Sequence, residues 1–145
     1  MSIDTKQLTA GVVGGLVGGV LFGVMMQMMG MLGMVAGLVG QDGAAVGWVV
    51  HLAISILFGL GFAVVIGPRS TSWGRALGLG AVYGVILWVV GALVIMPAML
   101  GMPVFQVGQP QLQSLVGHIV YGVALGGVLH AMVQPARTGK VASRA

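Results

Sequence analysis

Four apolar stretches, at about 9–31, 45–66, 75–97 and 112–133, decide what this chain can fold into. Each matches the roughly 20 residues that a helix needs to cross the hydrocarbon core of a bilayer. A soluble domain would spend about a quarter of its residues on charge. Here 6% of the 145 residues are charged and 58% are hydrophobic. The sequence therefore predicts an all-α integral membrane protein, one domain over 1–145 built as a four-helix bundle. The first run is longer than the 7–15 apolar residues of a signal-peptide core, and no small-x-small cleavage site follows it. It reads as a true spanning helix.

Where the few charges sit sets the orientation. The six basic residues are Lys6, Arg69, Arg75, Arg137, Lys140 and Arg144. They fall at the N-terminus, between the second and third runs, and in the C-terminal tail. The other two connections, about 32–44 and 98–111, carry none. By the positive-inside rule both termini face the cytoplasm, in a multi-pass protein of the cell (inner or plasma) membrane. Trp48 and Trp73 stand at helix starts, where interfacial indoles are favoured. The basic tail is a topology signal, not a nucleic-acid patch, because no aromatic residues alternate with it.

The chain also repeats itself. "MLGMVAGLVGQ" at 31–41 and "MLGMPVFQVGQ" at 99–109 are identical at seven of eleven positions. His51 and His118 follow each copy, and Gly11 and Gly15 are echoed by Gly80 and Gly84. The halves 9–66 and 75–133 read as two copies of one helical hairpin, related by a pseudo-two-fold axis along the membrane normal. Lipid gives helices no hydrophobic reason to associate, so small residues that let backbones approach carry the packing. Gly11, Gly15, Gly19 and Gly23 form a four-residue ladder on the first helix. Ser55, Gly59 and Ala63 extend the pattern to the second, and Gly122 and Gly126 to the fourth. The stretch 30–43 is too long and glycine-rich for a plain turn and reads as interfacial or re-entrant, like its counterpart 98–111. Pro97, Pro103 and Pro110 suit irregular backbone there.

His51 and His118 lie four residues before small residues of their helices, so both face the bundle, about two turns in from the non-cytoplasmic side. Ionisable groups at that depth are costly and mark candidate sites. The structural alternative is an imidazole bonded to a backbone carbonyl or to Ser55. His130, without a counterpart, reads as structural. Methionines gather at the level of the histidine pair: six lie in "MMQMMGMLGM" at 25–34, and Met96, Met99 and Met102 follow the third helix. Imidazole and thioether together suit Cu(I) and are also axial haem ligands. A metal or haem site would draw on His51, His118, Met25, Met28, Met29, Met96 and Met99. The plainer reading is gap-filling or a partner-binding surface, since methionine adapts to irregular spaces.

Several chemistries are excluded by what is missing. There is no cysteine, so disulfides and thiolate metal sites are ruled out. The only acids are Asp4 and Asp42, neither within a helix, which removes carboxylate acid–base catalysis and the usual proton relay. The glycines of "GVVGGLVGG" sit inside a helix with no strand before them and are no phosphate cradle. No enzyme is expected.

At "GHIVYGVALG" (117–126), with "MPAMLGMP" before it and "HLAISILFGLGF" at 51–62, the chain resembles a family of small four-helix prokaryotic membrane proteins of unknown function. Members share a Gly-His-x-x-Tyr-Gly opening to the last helix and a Met-Pro end to the third. Gly117, His118, Tyr121 and Gly122 fall on the matching positions. The resemblance implies a four-helix fold and no catalytic residues. Three functions remain in view. The first is a structural or accessory subunit that packs in a larger membrane assembly or homo-oligomer. The second is a haem- or copper-binding protein, and the third a small channel or carrier.

Overall fold

An apolar run in lipid has no water to bond its backbone, so it satisfies its own N–H and C=O groups by coiling into a helix. The computed structural model describes residues 4–133, and every element within them is helical. Helices α1 (Thr5–Met28) and α3 (Ala44–Val65) are the first two spans, with the short α2 (Leu32–Gly37) between them. The third span, Trp73–Met99, is continuous but not uniform. It runs as α4 (Trp73–Leu87), widens into a π-helical segment (Trp88–Ile95) and ends in one turn, α5 (Met96–Met99). The fourth is α6 (Gln109–Val133). All four spans are long and apolar enough to cross a bilayer.

Side-chain caps set two of the starts. Asp4 accepts the Lys6 N–H at 3.1 Å and begins α1 earlier than hydropathy alone suggests. Ser72 accepts the Arg75 N–H at 3.4 Å and begins α4.

The packing order is an arc, α3–α1–α6–α4, in which α3 and α4 do not lie along one another. Helix α1 is central because it offers glycine on two adjacent rows. Gly11, Gly15 and Gly19 meet α3: a methyl on Gly15 would lie 2.5 Å from the Ser55 carbonyl oxygen, and one on Gly11 2.7 Å from the Ala63 Cβ. The next row, Gly14 and Gly18, meets α6, where methyl groups would run into Leu125 and Tyr121 at 2.8 Å. The size pattern reverses further along that row, and the Phe22 ring fills the space that Gly117 leaves on α6. Helices α4 and α6 also approach through glycine. Gly80 abuts the Gly122 backbone, Gly84 the His118 backbone, and Gly126 the Ala76 backbone. The outward faces are apolar, with Val17, Val20, Leu21, Leu57, Val82 and Ile86 all exposed.

One end of the bundle is tied by polar contacts. The Gln7 amide donates to the Ala63 carbonyl. The His130 Nδ1–H donates to the Ser70 carbonyl at 3.0 Å, with the Trp73 indole against its ring at 4.7 Å. This gives His130 a structural role. The same end carries the exposed Lys6, Arg69 and Arg75, while Arg137, Lys140 and Arg144 lie outside the described residues.

The glycine contacts make a direct prediction. Gly122→Val pushes α6 off the Gly80 carbonyl and should destabilise the bundle by about 1–3 kcal/mol, the usual cost of overpacking. Gly78→Val, whose Cβ meets nothing within 4 Å, should stay within about 0.5 kcal/mol of the parent. Reversible unfolding in bicelles compares the two, and equal losses would remove the close-approach explanation.

Candidate functional site: a cleft between the second and third spans

Because the arc does not close, a cleft of about 470 Å³ remains between α3 and the third span. Its floor is Phe22 and Met26 of α1 with Ser114, His118 and Tyr121 of α6. One wall is the His51–Phe58 stretch of α3, and the other is the π segment with Gly91, Ala92 and Ile95. Met34 and Val35 of α2, with Leu38 just past its end, cover the end away from Arg69 and Arg75 together with Met99, Leu100 and Met102. At the opposite end Tyr83 of α4 reaches across to α3, where its hydroxyl donates to the Phe58 carbonyl at 2.9 Å and its ring lies 5.1 Å from Phe62. Leu57 and Ile95, both lining residues, are 65% and 47% exposed and mark the lateral mouth.

The π segment has identifiable causes. Pro97 has no N–H to give the Leu93 carbonyl four residues back. That carbonyl instead accepts the Phe105 N–H at 2.8 Å, with Phe105 held at a positive φ of 56°. The Trp88 indole N–H donates to the Gln111 carbonyl at 2.8 Å and ties the widened turn to the start of α6. Wide turns of this kind are rare and cluster at functional sites. Gly91, within it, has nothing within 4 Å of where a Cβ would stand, so the wall is open there.

Both histidines come to this one cleft. His51 Nε2 lies 2.9 Å from the Gly19 carbonyl oxygen. A carbonyl only accepts, so the proton sits on Nε2, and in the neutral ring Nδ1 keeps its lone pair. His118 is the mirror case: its Nδ1 lies 2.8 Å from the Ser114 carbonyl, which leaves the lone pair on Nε2. No buried side-chain nitrogen or oxygen among the described residues lacks a partner. The two unpaired nitrogens are therefore not sealed in the packing, and the cleft is the space both rings line. The Phe22 ring touches both, edge-on to His51 at 5.4 Å and tilted to His118 at 4.7 Å. The Ser55 hydroxyl donates to the His51 carbonyl at 2.8 Å. The Tyr121 hydroxyl spans the bundle to donate to the Ser55 carbonyl at 2.6 Å.

The methionines divide between two surfaces. Met96 and Met99 line the cleft with the histidines, together with Met26, Met31, Met34 and Met102. Met25, Met28 and Met29 lie in a separate shallow groove with Gln113 and Val116, and Met28 is 83% exposed. Helical geometry dictates the split, since positions 25, 28 and 29 share one face and 26 belongs to another. The seven residues that composition groups as one ligand set are thus not one constellation. Four of them share the cleft and three do not. Sequence reasoning passed over Phe22, Tyr83 and Gly91, of which only Gly91 had a visible cue, a glycine beside the proline-terminated end of a span. Among the described residues no group of three or more His, Cys, Asp or Glu comes together, so any metal held here would rest on imidazole and thioether.

The Tyr121 bond can be weighed on its own. Tyr121→Phe keeps the ring over Gly18 and removes the hydrogen bond to Ser55. The loss should be about 0.6 kcal/mol and no more than roughly 1.7, the range for such bonds in membrane bundles. Unfolding in bicelles measures it. A loss several times larger would mean that the hydroxyl also organises its neighbours.

Set against known protein families, characterised proteins and solved structures, the chain matches none of them.

Proposed function

We propose that this chain is a non-enzymatic, multi-pass protein of the cell membrane that seats an apolar molecule taken from the bilayer, and that it serves as an accessory component of a larger assembly or of its own oligomer. The cleft carries this reading. At about 470 Å³ it falls within the roughly 300–1,000 Å³ of small-molecule sites, which are mostly apolar with a few placed polar groups. Its mouth opens sideways, toward the place lipid would occupy. Six of the chain's eleven methionines line it, and thioether chains repack around guests of varied shape. The clustering of Lys6, Arg69 and Arg75 at one end favours both termini on the cytoplasmic side, which puts the cleft in the outer half of the membrane. The matching glycine crossings of α1 with α3 and of α4 with α6 favour descent of the two hairpins from one unit.

A hydrocarbon chain bearing a diazirine tests the reading, with the protein in nanodiscs and adducts mapped by mass spectrometry. Adducts should concentrate on Ile54, Ala92 and Met96 above outward residues such as Val17 and Leu21. Gly91→Phe, which fills the open wall, should reduce the cleft adducts several-fold, while Gly78→Phe on the outer face should not. Labelling spread evenly over all lipid-facing helices would sink the proposal.

A second reading draws on the same lining, because two imidazole nitrogens and several thioethers form a donor set suited to Cu(I). On that reading protein purified gently from its native membrane retains copper near one per chain, and His51→Gln or His118→Asn lowers it. Metal analysis with an absorption spectrum decides, the spectrum also reporting haem. Metal-free, colourless protein leaves the apolar-ligand reading alone.

A further inference from the structure

The polar atoms of the cleft are unequal in kind. Its hydrogens are nearly all spent within the protein. The Tyr121 hydroxyl gives its proton to the Ser55 carbonyl, and the Ser55 hydroxyl to that of His51. The His51 ring N–H goes to Gly19 and the His118 ring N–H to Ser114. The lone pairs left over are those of His51 Nδ1 and His118 Nε2, on two rings that both line the cleft. Hydrogens remain available only on α6 near the outer end. The Ser114 hydroxyl lies 3.3 Å from the already protonated His118 Nδ1, and the Gln111 amide accepts the Gly108 N–H at 3.0 Å through its oxygen alone. An acceptor facing hydrocarbon without a donor is costly, and a guest that lacks a donor leaves both nitrogens so.

We infer that the molecule seated in the cleft carries a hydroxyl on a lipophilic body, an alcohol or phenol whose O–H donates to His51 Nδ1 or His118 Nε2. A hydroxyl is the smallest head that answers both sides of this lining, since it gives a hydrogen to imidazole and accepts one from Ser114. Ketones, ethers and plain acyl esters only accept and leave the ring nitrogens unmet. The inference rests on the reading that the cleft takes an apolar molecule, and adds the chemistry of its head.

Two photoprobes of equal chain length test it, one ending in a phenol and the other in the corresponding methyl ether, each in nanodiscs with the intact chain. The phenol should label cleft residues about two- to tenfold more than the ether, the discrimination of one net hydrogen bond. Two variants then take the acceptor away from the ring-nitrogen position, the amide oxygen falling elsewhere, while keeping the structural bond. His51→Gln presents an amide nitrogen near the Nε2 position for Gly19, and His118→Asn one near the Nδ1 position for Ser114. The preference should fall toward parity in one or both. Equal labelling of the cleft by both probes in the parent protein overturns the hydroxyl inference and leaves the cleft reading standing. Failure of both probes to label the cleft above the outer faces overturns the cleft reading itself. A phenol preference that survives both substitutions overturns the role given to the histidines. The parent comparison needs no variant to fold.

Discussion

The rest of this structure depends on backbone touching backbone along α1. In lipid, burying apolar area gives a helix pair nothing, because the tails outside are as apolar as leucine inside. Association has to come from close dispersion contact, and that requires positions where no side chain stands in the way. Helix α1 supplies two such rows side by side, Gly11–Gly15–Gly19 toward α3 and Gly14–Gly18 toward α6. A helix with one glycine row makes a pair; a helix with two becomes the middle of three. Helix α4, the start of the third span, joins through its Gly80 and Gly84 crossing with α6. The arc, and with it the gap between α3 and α4, follows from which helices own glycine and which do not.

The same rows explain why the gap is chemical and not only geometric. The row that holds Gly14 and Gly18 continues at four-residue spacing into Phe22 and Met26, which line the cleft. On α6 the row from Gly126 through Gly122 runs on into His118 and Ser114, again cleft residues. Small residues bring the backbones together in the half nearer Lys6, Arg69 and Arg75, and larger polar and thioether groups take over where the helices frame the space. Close approach also fixes the His51 tautomer, while His118 takes its own from the Ser114 carbonyl one turn back on α6. The Gly19 carbonyl is within reach of His51 because no side chain stands between them, and that bond turns the other ring nitrogen outward.

Much of this was legible in the residues, and the illegible part has definite causes. The four spans follow from hydropathy, and the ladder Gly11–Gly15–Gly19–Gly23 from spacing. The inward facing of His51 and His118 followed from their position four residues ahead of Ser55 and Gly122. The second row, Gly14 and Gly18, stands in the same "GVVGGLVGG" string, but spacing cannot say which partner each row meets. That depends on the sizes opposite, Leu125 and Tyr121 against glycine. The π segment left almost no trace, since "WVVGALVI" is as apolar as any α-helical turn and only Pro97 hints at an unsatisfied carbonyl. Its resolution by Phe105, twelve residues beyond Leu93, is a tertiary event. Six methionines in ten residues must point several ways, but which of them share a space with the histidines depends on the neighbouring helices, and Met26 does while Met25, Met28 and Met29 do not.

A gap of this kind would collapse in a water-soluble protein, where unfilled apolar surface is driven together. In a bilayer that drive is absent, and a gap persists unless specific contacts close it. Helices α3 and α4 have few to offer: Gly80 and Gly84 of α4 face α6, and the polar link across is Tyr83 to the Phe58 carbonyl. Above that link the α3 wall presents Ile54 and Leu57 and the opposite wall Ala92 and Ile95, branched or short side chains with no partner across the space. Acyl chains can wet such walls as well as protein can, so holding the cleft open costs little. Selectivity then has to reside in the few atoms that hydrocarbon cannot satisfy, the two ring nitrogens whose lone pairs the bonds to Gly19 and Ser114 leave free.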